Sequence, residues 1–245
     1  MPLLSTKQIP WRERLIVALD VESVGEAKAL VEELGEAAIF YKVGLGLAFD
    51  RGFWELFDFL REKGKKAFAD IKFFDVPETV KAAVRKMAGS GAAFATVHAQ
   101  DGMIRAAVEA RNEAGESGRD LKILAVTVLT SLDQGDLKDM GFAVTVEDLV
   151  LSRAKRMLEH GCDGVISSGL EASRLRSSLG DNLLIVVPGI RPVENSDDQK
   201  RTVDVEDAFK AGADYIVVGR PIRNAGDRAA AAAAIQARIA RLFPA

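Results

Sequence analysis

The chain has 245 residues, 48% of them hydrophobic, enough to bury one large core and within the size range of a single α/β domain. Lys and Arg total 33 against 36 Asp and Glu, a net charge of -3 with no basic run to track a nucleic-acid backbone, so an anionic ligand must be held by a local site. Cys162 is the only cysteine, which excludes an intrachain disulfide; the first residues lack a signal-peptide stretch, and no run approaches the roughly 18 apolar residues of a membrane span, so a cytoplasmic protein with no membrane partner is expected.

Taken in chain order, short β-rich apolar runs fall at 15–19, 39–43, 66–71, 94–98, 123–129, 164–167, 183–187 and 215–218. Several are apolar on both faces, as strands of a covered parallel sheet must be. Between them, amphipathic periodicity predicts helices, among them 26–34, 53–63, 80–88, 103–114 and 146–159, and an Ala-rich helix closes the chain at 228–242. Gly35, Gly64, Gly91, Gly161 and Gly212 stand where helices should end. Eight strand-helix units without a dividing linker predict an α/β fold, a single (β/α)8 TIM barrel domain over 1–245 with residues 1–12 as an N-terminal extension. A doubly wound open sheet would give a similar string. Cys162 and the cluster Phe53, Trp54, Phe57 and Phe59 read as core and Trp11 as a packing residue, although that cluster could also line a subunit contact.

The third run ends in Asp70-Ile71-Lys72-Phe73-Phe74-Asp75. Strand alternation turns Asp70 and Lys72 to one side, the barrel interior, where charges cost several kcal/mol each in a packed core and are tolerated mainly at the open C-terminal mouth. Asp20 ends the first strand and Lys42 lies near the end of the second, so four charges on three adjacent strand ends form an alternating network that would fix ionisation states and hold a lysine ready to donate a proton. A structural ion pair is the plainer reading of Asp70 and Lys72. Asp75-Val76-Pro77-Glu78 likewise matches an N-cap, an early-helix proline and a capping-box carboxylate.

Pro188-Gly189-Ile190-Arg191-Pro192 follows the seventh strand and Gly219-Arg220-Pro221 the eighth, the two loops that most often cradle phosphate in this fold. Glycine lets backbone N–H groups approach phosphate oxygens and Arg220 can bind them in a bidentate way. The polar stretch 191–202, which includes Gln199, reads as a lid over the phosphate. His98 reads as a packed residue rather than a base.

These segments in this order, with Tyr41-Lys42-Val43-Gly44 and Leu129-Thr130-Ser131, resemble the orotidine 5'-phosphate decarboxylase family in its bacterial form. The resemblance implies a carboxy-lyase that converts orotidine 5'-phosphate into UMP and carbon dioxide, with no cofactor and no metal. It implies that Lys72 protonates the ring carbon, that Asp70 lies beside the substrate carboxylate, and that Lys42 sits between the carboxylates. It further implies that Asp20 binds ribose hydroxyls, that Thr130 or Ser131 meets the pyrimidine, and that Pro188, Arg191, Gln199, Gly219 and Arg220 hold the phosphate or close over it. Asp75 and Thr79 would reach into the site of a second subunit, making a homodimer. Two other readings stay open: a Mg²⁺-dependent sugar-phosphate decarboxylase of the same superfamily, in which Lys42 would stand where a metal-binding glutamate is expected and repel the metal, and a non-catalytic phosphoribosyl-binding barrel.

Overall fold

A computed structural model describes residues 3–190 and 203–244. Eight parallel strands pair in sequence order and close: β1 (Leu15–Ala18), β2 (Phe40–Gly44), β3 (Lys66–Phe73), β4 (Phe94–His98), β5 (Lys122–Val126), β6 (Gly164–Ile166), β7 (Leu184–Val187) and β8 (Tyr215–Val218). Pairing of β8 with β1, Ile216 opposite Leu15 and Val218 opposite Val17, decides for the barrel over an open sheet. The helices are α1 (Val24–Leu34), α2 (Phe53–Glu62), α3 (Pro77–Gly89), α4 (Asp101–Glu113), α5 (Gln134–Asp139), α6 (Val146–Glu159), α7 (Gly169–Leu179), α8 (Val205–Lys210), α9 (Arg220–Arg223) and α10 (Arg228–Leu242). The predicted run at 123–129 is shorter as a strand than expected, because β5 stops at Val126 and the chain turns across the barrel mouth.

Alternation along each strand divides the core in two. Leu15, Val17, Tyr41, Val43, Ala95, Val97, Ile185 and Ile216 face outward and pack under the helices, while Ile16, Ala18, Phe40, Phe68, Phe94, Val126, Val186, Tyr215 and Val217 fill the interior. Helix α2 shows how the outer layer forms. Phe53, Leu56, Phe57 and Leu60 recur at helical spacing and are all buried, each contributing about 1.5–3 kcal/mol by leaving water. Trp54 falls off that stripe and is 46% exposed, which corrects its reading as core. Trp11 and Phe59 pack at the margin, and Cys162 is fully in the core, where burial pushes its thiol up to about 12.

The floor of the barrel is aromatic. The Phe94 ring lies 5.0 Å from Phe40, 5.7 Å from Phe68 and 5.1 Å from Tyr215, filling the interior at its N-terminal end. A side chain at Gly164 would meet Leu184 at 2.6 Å and Leu124 at 2.9 Å, so glycine is required there by close approach. Below this floor, the fully buried Asp214 accepts from Arg176 at 2.7 Å and pairs with Lys7 at 3.3 Å, which ties the N-terminal segment to β8 and α7. With the bottom sealed, the open space of the barrel is at the C-terminal ends of its strands.

Candidate active site

Those strand ends bring the predicted charges together. The Lys42 ammonium lies 3.0 Å from Asp20 Oδ1 and 3.4 Å from Asp70 Oδ2, and the Lys72 ammonium donates to Asp70 Oδ2 at 2.8 Å. The four groups alternate in sign along one line. Burial, the largest single influence on Lys42, lowers its proton affinity, but attraction to Asp70 and Asp20 outweighs it and holds the ammonium above the ordinary lysine value. At Asp70 burial is again the largest influence and pushes the carboxyl up; Lys42, Lys72 and a hydrogen bond from Thr96 prevail and hold it below the ordinary carboxylate range. An ammonium thus fills the place between two carboxylates where a hard cation would otherwise fit.

Lys72 does not reach this position by the simple alternation expected from the sequence. Its φ is +54°, the only positive φ of a non-glycine residue among the described residues, and the β3–β4 register shifts between Ala69 and Phe73. A left-handed residue with a β-carbon costs about 1–2 kcal/mol, strain of the kind that clusters at functional sites. The capping reading of Asp75 is also corrected. The N-cap of α3 is Val76, with no side-chain cap bond, and Asp75 Oδ1 accepts from the adjacent Val76 N–H at 2.7 Å.

A cavity of about 520 Å³ opens above the charges. Asp20, Lys42, Asp70 and Lys72 form one wall; Thr130, Ser131, Pro188, Gly219 and Arg220 line it from other loops. Gly189, at the same rim, has φ +76°, a conformation that suits glycine. Gly219 opens α9, so the loop after β8 turns directly into a helical N–H end at the cavity wall. Ala18, Phe68, Val126, Ile166 and Val217 give the cavity an apolar base. In one chain Asp75 and Thr79 do not join this cavity. Both are exposed, and Asp75 instead edges a surface depression with Phe74, Val76, Pro77 and Met103. Arg191 and Gln199, and with them the lid, lie outside the described residues.

Sequence reasoning missed two polar residues here. Thr96, inward on β4, bonds both Asp70 and the Lys72 backbone. Its signal was its place two residues before His98, on the interior face of the strand. Arg223, one turn after Gly219, lines the cavity and donates to the main-chain carbonyl of Asp20. His98 is stacked edge-on against Phe74 at 5.1 Å, as a packed residue; burial, then Lys72 and Arg153, push its imidazole below the ordinary value.

Residues 13–235 match the family described as "Orotidine 5'-phosphate decarboxylase / HUMPS family". The chain belongs to this family. It is 57% identical over 244 residues to the orotidine 5'-phosphate decarboxylase of Methylococcus capsulatus, covering 99% of this chain and 98% of the relative. It is 49% identical over 228 residues to the Nitrobacter winogradskyi protein of the same name, covering 91% of each. The crystal structure of orotidine 5'-phosphate decarboxylase from Lactobacillus acidophilus superposes with a TM-score of 0.83 at 35% identity, covering 93% of this chain and 99% of that one. The family match spans all eight strands, and so includes every strand end that carries the charge line.

Proposed function

We propose that this chain decarboxylates orotidine 5'-phosphate to UMP and carbon dioxide, the reaction its relatives are named for, without a metal ion or cofactor. The observation that carries the reading is the Asp20–Lys42–Asp70–Lys72 line along one wall of a cavity whose other loops, after β7 and β8, offer glycine backbone and Arg220 to a phosphate.

The chemistry follows from what the reaction lacks. Breaking the bond between the ring and its carboxylate leaves the electron pair on a ring carbon with no conjugated sink, so stabilisation must come from a charge already in place. The Lys72 ammonium supplies that field, transfers a proton from Nζ to the ring carbon as carbon dioxide leaves, and regains a proton from solvent. Asp70 fixes the ammonium at 2.8 Å and would set negative charge beside the departing carboxylate. Lys42 keeps Asp70 ionised through this cycle. The apolar base of Ala18, Val126, Ile166 and Val217 lowers the local dielectric, which strengthens the field of the ammonium, and suits a neutral carbon dioxide. Binding energy from the phosphate, held by the loops after β7 and β8, supports the strained, desolvated geometry at the ring.

Asp75 and Thr79 belong, in this reading, to the site of a second copy. Phe74 and Val76, 61% and 62% exposed beside Asp75, are large apolar side chains that a homodimer interface would cover. The test follows the loss of orotidine 5'-phosphate absorbance on adding purified protein in excess EDTA. Decay is the expected outcome; no decay by folded protein moves the reading to a metal-dependent sugar-phosphate decarboxylase or a phosphate-binding barrel.

A further inference from the structure

The ladder between β3 and β4 is broken where the chemistry sits. Ala69 pairs with Ala95 and Phe73 with Val97, so β3 advances four residues while β4 advances two. Asp70, Ile71 and Lys72 therefore share a single facing residue, Thr96. At such a bulge the extra backbone groups lose their ladder partners and must find others. Thr96 meets this need with its side chain. Its Oγ1 accepts from the Lys72 N–H at 2.9 Å and donates to Asp70 Oδ1 at 3.0 Å. The other Asp70 oxygen accepts from Lys72 Nζ at 2.8 Å, which closes a ring: Lys72 backbone, Thr96 hydroxyl, Asp70 carboxylate, Lys72 ammonium.

Packing does not account for the hydroxyl. Thr96 is fully buried and absent from the cavity lining, it pairs with Leu124 on β5, and it follows the interior-facing Phe94 on β4. Valine has the same shape and would fill the same space without a polar atom to satisfy. What valine would lose is both hydrogen bonds at once, one to the strained Lys72 backbone and one to a buried carboxylate.

We propose that Thr96 is a positioning residue of the decarboxylation: its hydroxyl holds the left-handed backbone at Lys72 and aims the Asp70 carboxylate, so that the ammonium and the carboxylate keep one fixed geometry. This rests on the decarboxylase reading above. Thr96 touches no substrate in this scheme and acts through the two residues it joins.

Steady-state kinetics of Thr96→Val, Thr96→Ala and Thr96→Ser with orotidine 5'-phosphate, with UMP affinity measured by calorimetry, test the proposal. Loss of hydrogen bonds to a charged and a strained group lowers kcat by about 10- to 100-fold in the Val and Ala variants. KM and UMP affinity stay near those of the unsubstituted protein, because the phosphate loops are untouched, and Thr96→Ser recovers most of kcat. An unchanged kcat in a folded hydroxyl-free variant overturns the proposal, as does a Ser variant no better than Ala. If neither Val nor Ala yields folded protein, the hydroxyl serves the fold and the proposal falls. Absence of turnover in the unsubstituted protein is a different failure, that of the decarboxylase reading itself.

Discussion

The Lys72 ammonium donates to the Asp70 carboxylate at 2.8 Å from a backbone that turns left-handed at Lys72 within β3. The pair is therefore set by a bulge and not by regular β geometry, and the bulge is what gives a lysine at the end of β3 its place over the cavity.

Lys72→Ala should abolish turnover while leaving the barrel folded. Removing a general acid that also stabilises the developing charge lowers kcat by at least about 10³-fold. The side chain is 36% exposed, so its loss leaves no large void. Absorbance kinetics beside a thermal melt check this, and near-normal activity in the folded variant removes Lys72 from the mechanism.

Lys42 should matter to stability as well as to activity. Its side chain is 11% exposed and is placed between Asp20 and Asp70; deleting it leaves Asp70 buried beside only one cation, at a cost of about 3 kcal/mol. The pH dependence has two sides. Asp70 is depressed in the folded state, so its contribution is present above the unfolded carboxylate value and is lost as pH falls through the lower folded one. Lys42 is raised, so its contribution is complete below the unfolded lysine value and is lost as pH rises through the higher folded one. Melting temperatures should thus lose this network's support only in strong acid or strong base. An equal melting temperature for the Lys42→Ala and unsubstituted proteins at neutral pH contradicts the assignment.

Arg220→Ala should act mainly on substrate capture. Arg220 lines the cavity at the start of α9, in the loop after β8 and away from the reacting Lys72 in strand order. Loss of a charge-assisted contact to phosphate raises KM by about 10- to 100-fold with a smaller change in kcat. An unchanged KM speaks against a phosphate contact.

Shared sites can be read by mixing inactive proteins. Lys72→Ala and Asp75→Ala, each inactive alone, should regain up to about a quarter of the unsubstituted activity after random exchange of subunits, since half the dimers are hybrid and each hybrid holds one intact site. No recovery despite hybrid formation places Asp75 outside the partner's site.

Much of the fold was legible because its signals are local. Apolar runs and helix-ending glycines follow from backbone sterics and burial, so α6 and α10 fall where periodicity places them, at 146–159 and 228–242. Short α5, α8 and α9 carry too few turns to set up a periodic face. Trp54 was misread because composition marks an aromatic as core while only its angle on α2 decides whether it is covered. Arg223 escaped because its relevance to Asp20 depends on contact between residues at opposite ends of the chain.

The sequence by itself determined the eight strand-helix units and the residue types at the strand ends, since these depend on neighbours a few positions apart. Only the tertiary structure decided that β8 closes onto β1, that Lys42 lies between Asp20 and Asp70, and that Thr96 bridges Asp70 to a left-handed Lys72. Each of those joins groups distant in sequence, and the local register shift that presents Lys72 is held by a side chain on the neighbouring strand, a cause no single-strand pattern contains.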